Sequence, residues 1–99
     1  MNYTIARNEE KNITRHDWTL DGYTLTIIKY ENRSNRITIK APLDAPELCV
    51  DDFREDPAVE VNWSALGSVS GDEARDYAAK IVEAAEVADQ FQDIIDLLK

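Results

Sequence analysis

The chain of 99 residues has little of the chemistry that small enzymes and metal proteins usually carry. Its single cysteine, Cys49, excludes an internal disulfide and a cysteine-rich zinc site. Its single histidine, His16, has no serine nucleophile in a G-x-S-x-G context to accompany it. The three glycines are isolated from one another, which excludes a glycine-rich phosphate loop. These absences argue against an enzyme.

Long apolar runs are also missing. No stretch approaches the roughly 20 apolar residues of a membrane span, and the first ten residues lack the apolar core of a signal peptide. We therefore expect a cytoplasmic protein that does not bind membranes. Apolar residues nevertheless make up 43% of the chain and recur at regular spacing. One folded domain over residues 1–99 is expected, rather than disorder.

Basic residues are scarce, and the charge is unevenly distributed along the chain. Residues 1–40 carry seven bases and five acids, a net charge of +2. Residues 41–99 carry four bases and fifteen acids, a net charge of −11. Phosphate attraction needs a basic footprint, so this distribution argues against direct binding of nucleic acid. It favours a partner whose own surface is basic.

The first half of the chain alternates apolar and polar residues, as β-strands do. Asp21-Gly22 separates two such runs, and both residue types tolerate the positive φ of a two-residue hairpin turn. Tyr23, Leu25 and Ile27 are predicted to face one side of the sheet, and the intervening residues the other. Residues 36–40 predict a further strand, residues 2–7 an earlier one and residues 58–63 a last short one.

A long helix is predicted in the last third of the chain. Ser70 is a good N-cap, Glu73 completes a capping box, and neither Gly nor Pro follows. The fold class is therefore α+β, an antiparallel β-meander of four or five strands packed by one long C-terminal helix. One buried helix face is predicted from the 3.6-residue spacing of apolar residues. Its members are Ala74, Tyr77, Ala78, Ile81, Ala85, Ala88, Phe91 and Ile95.

Apolar residues near the end of this helix rotate away from that face. Ile94 and especially Leu97 show the drift. Either the helix breaks near Asp89-Gln90, or these residues bury against a second chain. A homodimer interface formed by Phe91, Ile94 and Leu97 is the corresponding hypothesis.

The densest carboxylate cluster lies between residues 44 and 60. Asp51, Asp52, Glu55 and Asp56 offer the oxygen ligands that calcium and magnesium prefer. EF-hand spacing fails, and Asn62 stands where a nuclease pattern would place a lysine. Carboxylate density of this kind is typical of a solvated surface, so neither a metal site nor a cofactor is predicted.

Acidic residues also form a stripe on the predicted helix, opposite its apolar face. An ordinary solvated face is one interpretation. In the other, the stripe and the cluster together imitate a phosphate backbone and compete for a basic groove. The predicted partner-binding residues are Asp51, Asp52, Glu55, Asp56, Asp76, Glu83, Glu86 and Asp93.

The two residues with catalytic potential have plainer interpretations. His16 lies between charged neighbours in a strand and is predicted to be a surface residue. Cys49 lies between Leu48 and Val50 among carboxylates, whose charge opposes thiolate formation. It is predicted to be a small, mostly buried core residue.

The stretch VNWSALGSVSGDEARDYAAKIVEAAEVADQ, residues 61–90, resembles the C-terminal segment of small proteins encoded by bacteriophages and mobile elements. The size, acidity and sheet-plus-helix pattern are similar to those of anti-CRISPR proteins. This resemblance implies a role by analogy: inhibition of a nucleic-acid-processing complex in the host cytoplasm.

Three hypotheses follow, in order of preference. The first is a non-enzymatic inhibitor or binding protein that uses its acidic surface. The second is a phage structural or assembly protein that oligomerises through its C-terminal helix. The third is a small metal-dependent hydrolase centred on residues 51–56.

Overall fold

Six strands and one long helix make up the computed structural model, which describes residues 1–51, 55–62 and 68–98. This architecture confirms the predicted α+β class. The elements in chain order are β1 (Asn2–Asn8), β2 (Ile13–Leu20), β3 (Tyr23–Tyr30), β4 (Arg36–Lys40), β5 (Glu47–Val50), β6 (Val59–Asn62) and α1 (Gly71–Leu97).

The main sheet is a four-stranded antiparallel meander in the order β1-β2-β3-β4. Leu20 pairs with Tyr23 across the predicted two-residue turn. Asp21 and Gly22 both have positive φ, 51° and 82°. Two positive φ values in succession give the turn a twist that matches that of the flanking strands. The predicted hairpin is therefore confirmed.

The last predicted strand exists as β6, but it pairs with β5 rather than extending the meander. Sequence reasoning did not predict β5, because its four residues lie inside the acidic stretch. Leu48 is buried and Val50 half-buried, so the residue between them points outward. That residue is Cys49, which is exposed, and the prediction that it is mostly buried is wrong.

The two faces of the main sheet differ in chemistry. Tyr23, Leu25 and Ile27 share one face, as predicted, and they are buried in one cluster with residues of the helix. The opposite face carries threonines and a polar network in which Thr26 and Arg15 donate to Asp17. The helix-covered face contains most of the sheet's contribution to the core, and its half-buried members include Trp18, Leu20, Ile37 and Ile39.

Helix α1 begins as predicted and does not break. The Ser70 hydroxyl accepts from the Glu73 backbone N–H at 3.1 Å and donates to the Glu73 carboxylate at 3.1 Å. The helix runs without interruption through Asp89-Gln90 to Leu97. Within the described residues, no helix is both long enough and apolar enough to cross a bilayer.

The buried face of α1 overlaps the predicted one but is rotated from it. Ala88, Phe91 and Ile95 are buried, as predicted. Ala84 and Val87 are buried, although the spacing did not select them, whereas Ala74 and Ala78 are exposed and Ile81 is only half-buried. Among the first ten helical residues only Tyr77 is not exposed, so the helix makes its core contacts from Ile81 onward. The residues of α1 that are buried are Ala84, Val87, Ala88, Phe91 and Ile95.

Candidate functional site

The predicted acidic stripe lies on the exposed side of α1. Asp76, Glu83, Glu86 and Asp93 are all exposed. A rise of 1.5 Å per residue spreads them over about 26 Å of helix axis. Four charges over this length are fewer than the phosphates of one DNA strand, which recur about every 3.4 Å of axis. The stripe therefore matches a phosphate backbone in sign and extent, but not in charge density.

These four residues divide into two pairs. At about 100° per residue, Asp76 and Glu83 lie within about 20° of each other around the axis. Glu86 and Asp93 form the second pair, rotated by about 80° from the first. Glu83 lines a cleft together with Asp21 and Tyr23, and its charge, after burial, contributes to raising the pKa of Tyr23. The Asp76/Glu83 pair and the Glu86/Asp93 pair therefore lie on different sides of the helix.

Gln92 joins the second pair to the acidic segment that precedes β6. Its amide oxygen accepts from the Val59 backbone N–H at 2.7 Å. Its amide nitrogen donates to the Pro57 carbonyl at 3.0 Å and to the Asp96 carboxylate at 3.0 Å. One half-buried side chain thus fixes the backbone of residues 57–59 to the C-terminal half of the helix.

This connection brings two carboxylate sets together. Asp56 immediately precedes Pro57, and both Glu55 and Asp56 are exposed. Asp89 and Asp96 lie between Gln92 and Asp93 around the helix axis, so they continue the same patch. We define the acidic surface as the exposed carboxylates on either side of the Gln92 contact. Its members are Glu55, Asp56, Glu86, Asp89, Asp93 and Asp96.

The predicted binding set is only partly assembled in this way. Glu55, Asp56, Glu86 and Asp93 belong to the acidic surface, whereas Asp76 and Glu83 lie outside it. Asp51 is exposed at the end of β5. Asp52 lies outside the described residues. Sequence reasoning missed Gln92, because two amides, Gln90 and Gln92, flank Phe91 and nothing in the sequence distinguishes them.

Basic side chains do not interrupt the acidic surface along the helix. Between Ile81 and Leu98 the sequence has no Lys or Arg. Lys80 donates to the Asp44 carbonyl at 3.2 Å. Arg75 forms an ion pair with Asp72 in the first turn. Both cationic side chains among the described residues of α1 therefore lie in its N-terminal half, where they have partners of their own.

The predicted oligomer interface on the helix is mostly occupied within the chain. Phe91 is fully buried in the core, so the prediction that it contacts a second chain is corrected. Ile94 is half-buried and packs against the same core. Leu97 alone of the three is exposed, at 83%. The expected drift of the apolar face is thus largely taken up by internal packing.

His16 and Cys49 lie in separate surroundings. The His16 Nδ1 and the Tyr3 hydroxyl form a hydrogen bond of 2.7 Å, and the His16 ring lies beside Trp18 with centroids 5.7 Å apart. Cys49 borders an open cleft of about 560 Å³ beside the loop of residues 41–45. Across residues 1–51, 55–62 and 68–98, no group of three or more His, Cys, Asp or Glu side chains is placed to hold a metal ion.

Comparison with known proteins adds no relative: no family model, curated protein or solved structure matches the chain.

Proposed function

We propose that the chain is a non-enzymatic binding protein whose acidic surface occupies a basic, nucleic-acid-binding groove on a host complex. In this role it acts as anti-CRISPR proteins do, as a nucleic-acid mimic. It is encoded by a bacteriophage or a mobile element and works in the host cytoplasm. The partner is a protein, and the chain itself does not bind nucleic acid.

The Gln92 contact is the observation that carries this proposal. The acidic stretch already contacts the helix through β5 and β6, and Gln92 adds hydrogen bonds at the point where the stretch meets β6. Two hydrogen bonds of Gln92, with Pro57 and Val59, tie the segment that follows Glu55 and Asp56 to the C-terminal half of α1, which supports a joint surface. Each exposed ion pair contributes only about 0–1 kcal/mol, so binding must depend on many carboxylates acting together.

The test compares two variants of equal net charge. In the first, Glu55→Gln, Asp56→Asn, Glu86→Gln and Asp93→Asn neutralise the acidic surface. In the matched control, four exposed glutamates elsewhere become Gln. The control positions are Glu9, Glu10, Glu31 and Glu47.

Each protein is immobilised and exposed to nuclease-treated host lysate at rising salt, with and without excess duplex DNA. We expect the wild type and the control to retain a basic protein that DNA displaces, and the first variant to lose it. Added salt should weaken retention, because it screens the attraction between the acidic surface and the basic partner. The Debye length is already about 8 Å at physiological ionic strength and shortens further as salt is added. Equal retention by both variants, unaffected by DNA, would contradict the proposal.

A further inference from the structure

Strand β1 forms an open edge of the main sheet. It is first in the order β1-β2-β3-β4, and all seven of its residues are exposed. The opposite edge is different, because β4 lies alongside β5. Along β1, alternate backbone N–H and C=O groups point away from β2 toward whatever lies outside.

This edge lacks the features that usually prevent strands from pairing with other chains. Asn2–Asn8 pairs residue for residue with Ile13–Thr19, so no bulge interrupts it. The strand contains no proline, and Arg7 is its only charged residue. Natural edge strands are usually short, bulged, or protected by proline or inward-facing charge. Apart from Arg7, whose side chain lies on the same face as Tyr3 and Ile5, the seven regular residues of β1 lack these features and favour strand addition.

Apolar side chains are exposed along the same strand. Tyr3 is 49% exposed and Ile5 is 59% exposed, and both lie on the helix-covered face of the sheet. The Tyr3 ring lies 5.0 Å from that of Trp18, which packs against the core. The core therefore continues toward the edge, where Tyr3 and Ile5 remain exposed.

We infer that β1 of a second copy of this chain pairs antiparallel with β1, giving one continuous eight-stranded sheet. The occupant follows from the strand itself. Ile5 is the middle residue of Asn2–Asn8, so a two-fold axis at Ile5 pairs the full strand with itself. Residues that are directly opposite in an antiparallel pair share a face, so the exposed apolar residues of both copies meet.

The pairing in this register is self-complementary. Ile5 lies opposite the partner's Ile5, and Tyr3 lies opposite the partner's Arg7, where a cation–π contact is available. On the other face, Thr4 lies opposite the partner's Ala6. The two Arg7 residues stay about 13 Å apart along the strands, beyond the Debye length at physiological salt. An acidic peptide would also match Arg7, but it would not explain the symmetry of these pairs.

The assembly closes at two copies. An isologous interface uses the same patch on both subunits, and the other sheet edge is not open in the same way. One strand and two exposed side chains per copy make a small interface, so we expect weak affinity of the kind found below about 1,200 Å² of buried area. The acidic surface lies on α1 and on residues 55–56 and includes no residue of β1, so this inference and the proposed function fail independently.

The first measurement is sedimentation equilibrium from about 1 µM to about 1 mM, a range that brackets weak interfaces. We expect the wild type to form dimers as its concentration rises. Ile5→Lys should remain monomeric up to a concentration at least ten times higher. Leu97→Lys, the matched control on the helix, should dimerise like the wild type. A monomeric wild type over the whole range overturns the inference, as does a dimer lost in Leu97→Lys but kept in Ile5→Lys.

The second measurement tests the register by oxidation with dissolved oxygen in a Cys49→Ser background. Ile5→Cys places two thiols directly opposite each other, within the distance that a disulfide needs. Thr4→Cys lies on the other face, opposite the partner's Ala6, and should remain reduced. Circular dichroism verifies the fold of each variant. Crosslinking of Thr4→Cys but not Ile5→Cys would rule out the two-fold at Ile5.

Discussion

Asp17 on the outer face of the sheet accepts hydrogen bonds from two neighbours. Arg15 donates to it at 2.9 Å and Thr26 at 2.6 Å. Burial alone would raise the pKa of Asp17, but these hydrogen bonds and the nearby Arg15 charge outweigh burial and lower it. A carboxyl whose pKa is lowered by folding stabilises the protein above its unfolded pKa of about 3.9. That stability is lost as the pH falls through the folded pKa.

We therefore expect Asp17→Asn to reduce the free energy of unfolding by about 1 kcal/mol at neutral pH, since Arg15 is largely exposed. The difference from the wild type should shrink below about pH 4, where the wild-type carboxyl becomes protonated. Urea unfolding of both proteins between pH 7 and pH 2 measures this difference in the free energy of unfolding. A difference that stays constant down to the lowest pH would show that the charge of Asp17 is not involved.

His16 offers a clean titration, because it is the only histidine in the chain. Burial lowers its pKa, and Lys29 lowers it further, against the opposing effect of Asp17. We expect its NMR titration midpoint to lie below about 6.5. Lys29→Gln should raise the midpoint, whereas Lys40→Gln, on the opposite sheet face, should not. Equal midpoints in all three proteins would mean that Lys29 does not act on His16.

Protonation of His16 should also affect stability. Because folding lowers this pKa, the unfolded chain binds a proton more readily than the folded one. The contribution of neutral His16 is therefore present above about pH 6.5 and is lost as the pH falls through the folded pKa.

Gln92 makes the most informative single contact in the molecule, and a sequence pattern could not have identified it. An amide beside an apolar stripe has many ordinary explanations, and only the position of β6 gives this one its partners. Gln92→Met keeps the length of the side chain but removes both hydrogen bonds to the backbone of residues 57–59. The Val59 N–H would then lose its acceptor.

We expect Gln92→Met to lower the free energy of unfolding by about 1–3 kcal/mol and to accelerate amide exchange at Val59. Gln90→Met changes an exposed amide of the same helix and serves as the control. If both variants exchange alike at Val59, the contact does not hold the segment. If the proposed function is correct, Gln92→Met should also weaken partner capture without changing net charge.

At the scale of elements, local signals predicted local structure well. The Asp21-Gly22 turn and the Ser70 cap depend on a few neighbouring residues, so sequence alone placed them. The rotation of the buried helix face had a different cause. The rotation depends on the positions at which β5 and β6 contact α1. Strand β5 was not predicted from the sequence, because its residues lie within the acidic stretch. Short strands with few apolar residues give too weak a periodicity to detect.

The corrected helix face makes a distinguishing prediction. Phe91 is fully buried and Ile81 is only half-buried. Phe91→Ala should therefore cost about 3–5 kcal/mol, and Ile81→Ala clearly less than the 2–5 kcal/mol of a fully buried aliphatic residue. Denaturant midpoints of the two variants, at equal slope, measure the difference. Equal costs for the two variants would instead support the face predicted from spacing, which contained both residues.

At the scale of the whole molecule, the charge distribution was fully visible in the sequence, but its geometry was not. Residues 1–40 and 41–99 differ by 13 charges, since their net charges are +2 and −11. Composition alone could not show that Glu55 and Asp56 adjoin the helix while Asp76 and Glu83 face elsewhere. That division depends on contacts between residues more than 30 positions apart.

A net charge of −9 should make the folded state sensitive to salt. Like charges repel most in the compact state, and salt screens the repulsion. We expect Tm to rise when NaCl is increased from about 10 mM to about 500 mM, over which the Debye length falls from about 30 Å toward about 4 Å. The variant with a neutralised acidic surface should show a smaller rise. A fall in Tm with salt would indicate that ion pairs outweigh repulsion.

The sequential order of the meander has a consequence for synthesis on the ribosome. Each strand of the main sheet pairs with its neighbour in sequence, so the sheet can form once Lys40 has emerged. The helix that covers Leu25 and Ile27 is not complete until roughly 55 residues later, about 3–11 s at usual elongation rates. During that interval the nascent chain exposes the apolar face of a folded sheet. Chaperones that act at the ribosome should therefore bind this protein most strongly at that stage of synthesis.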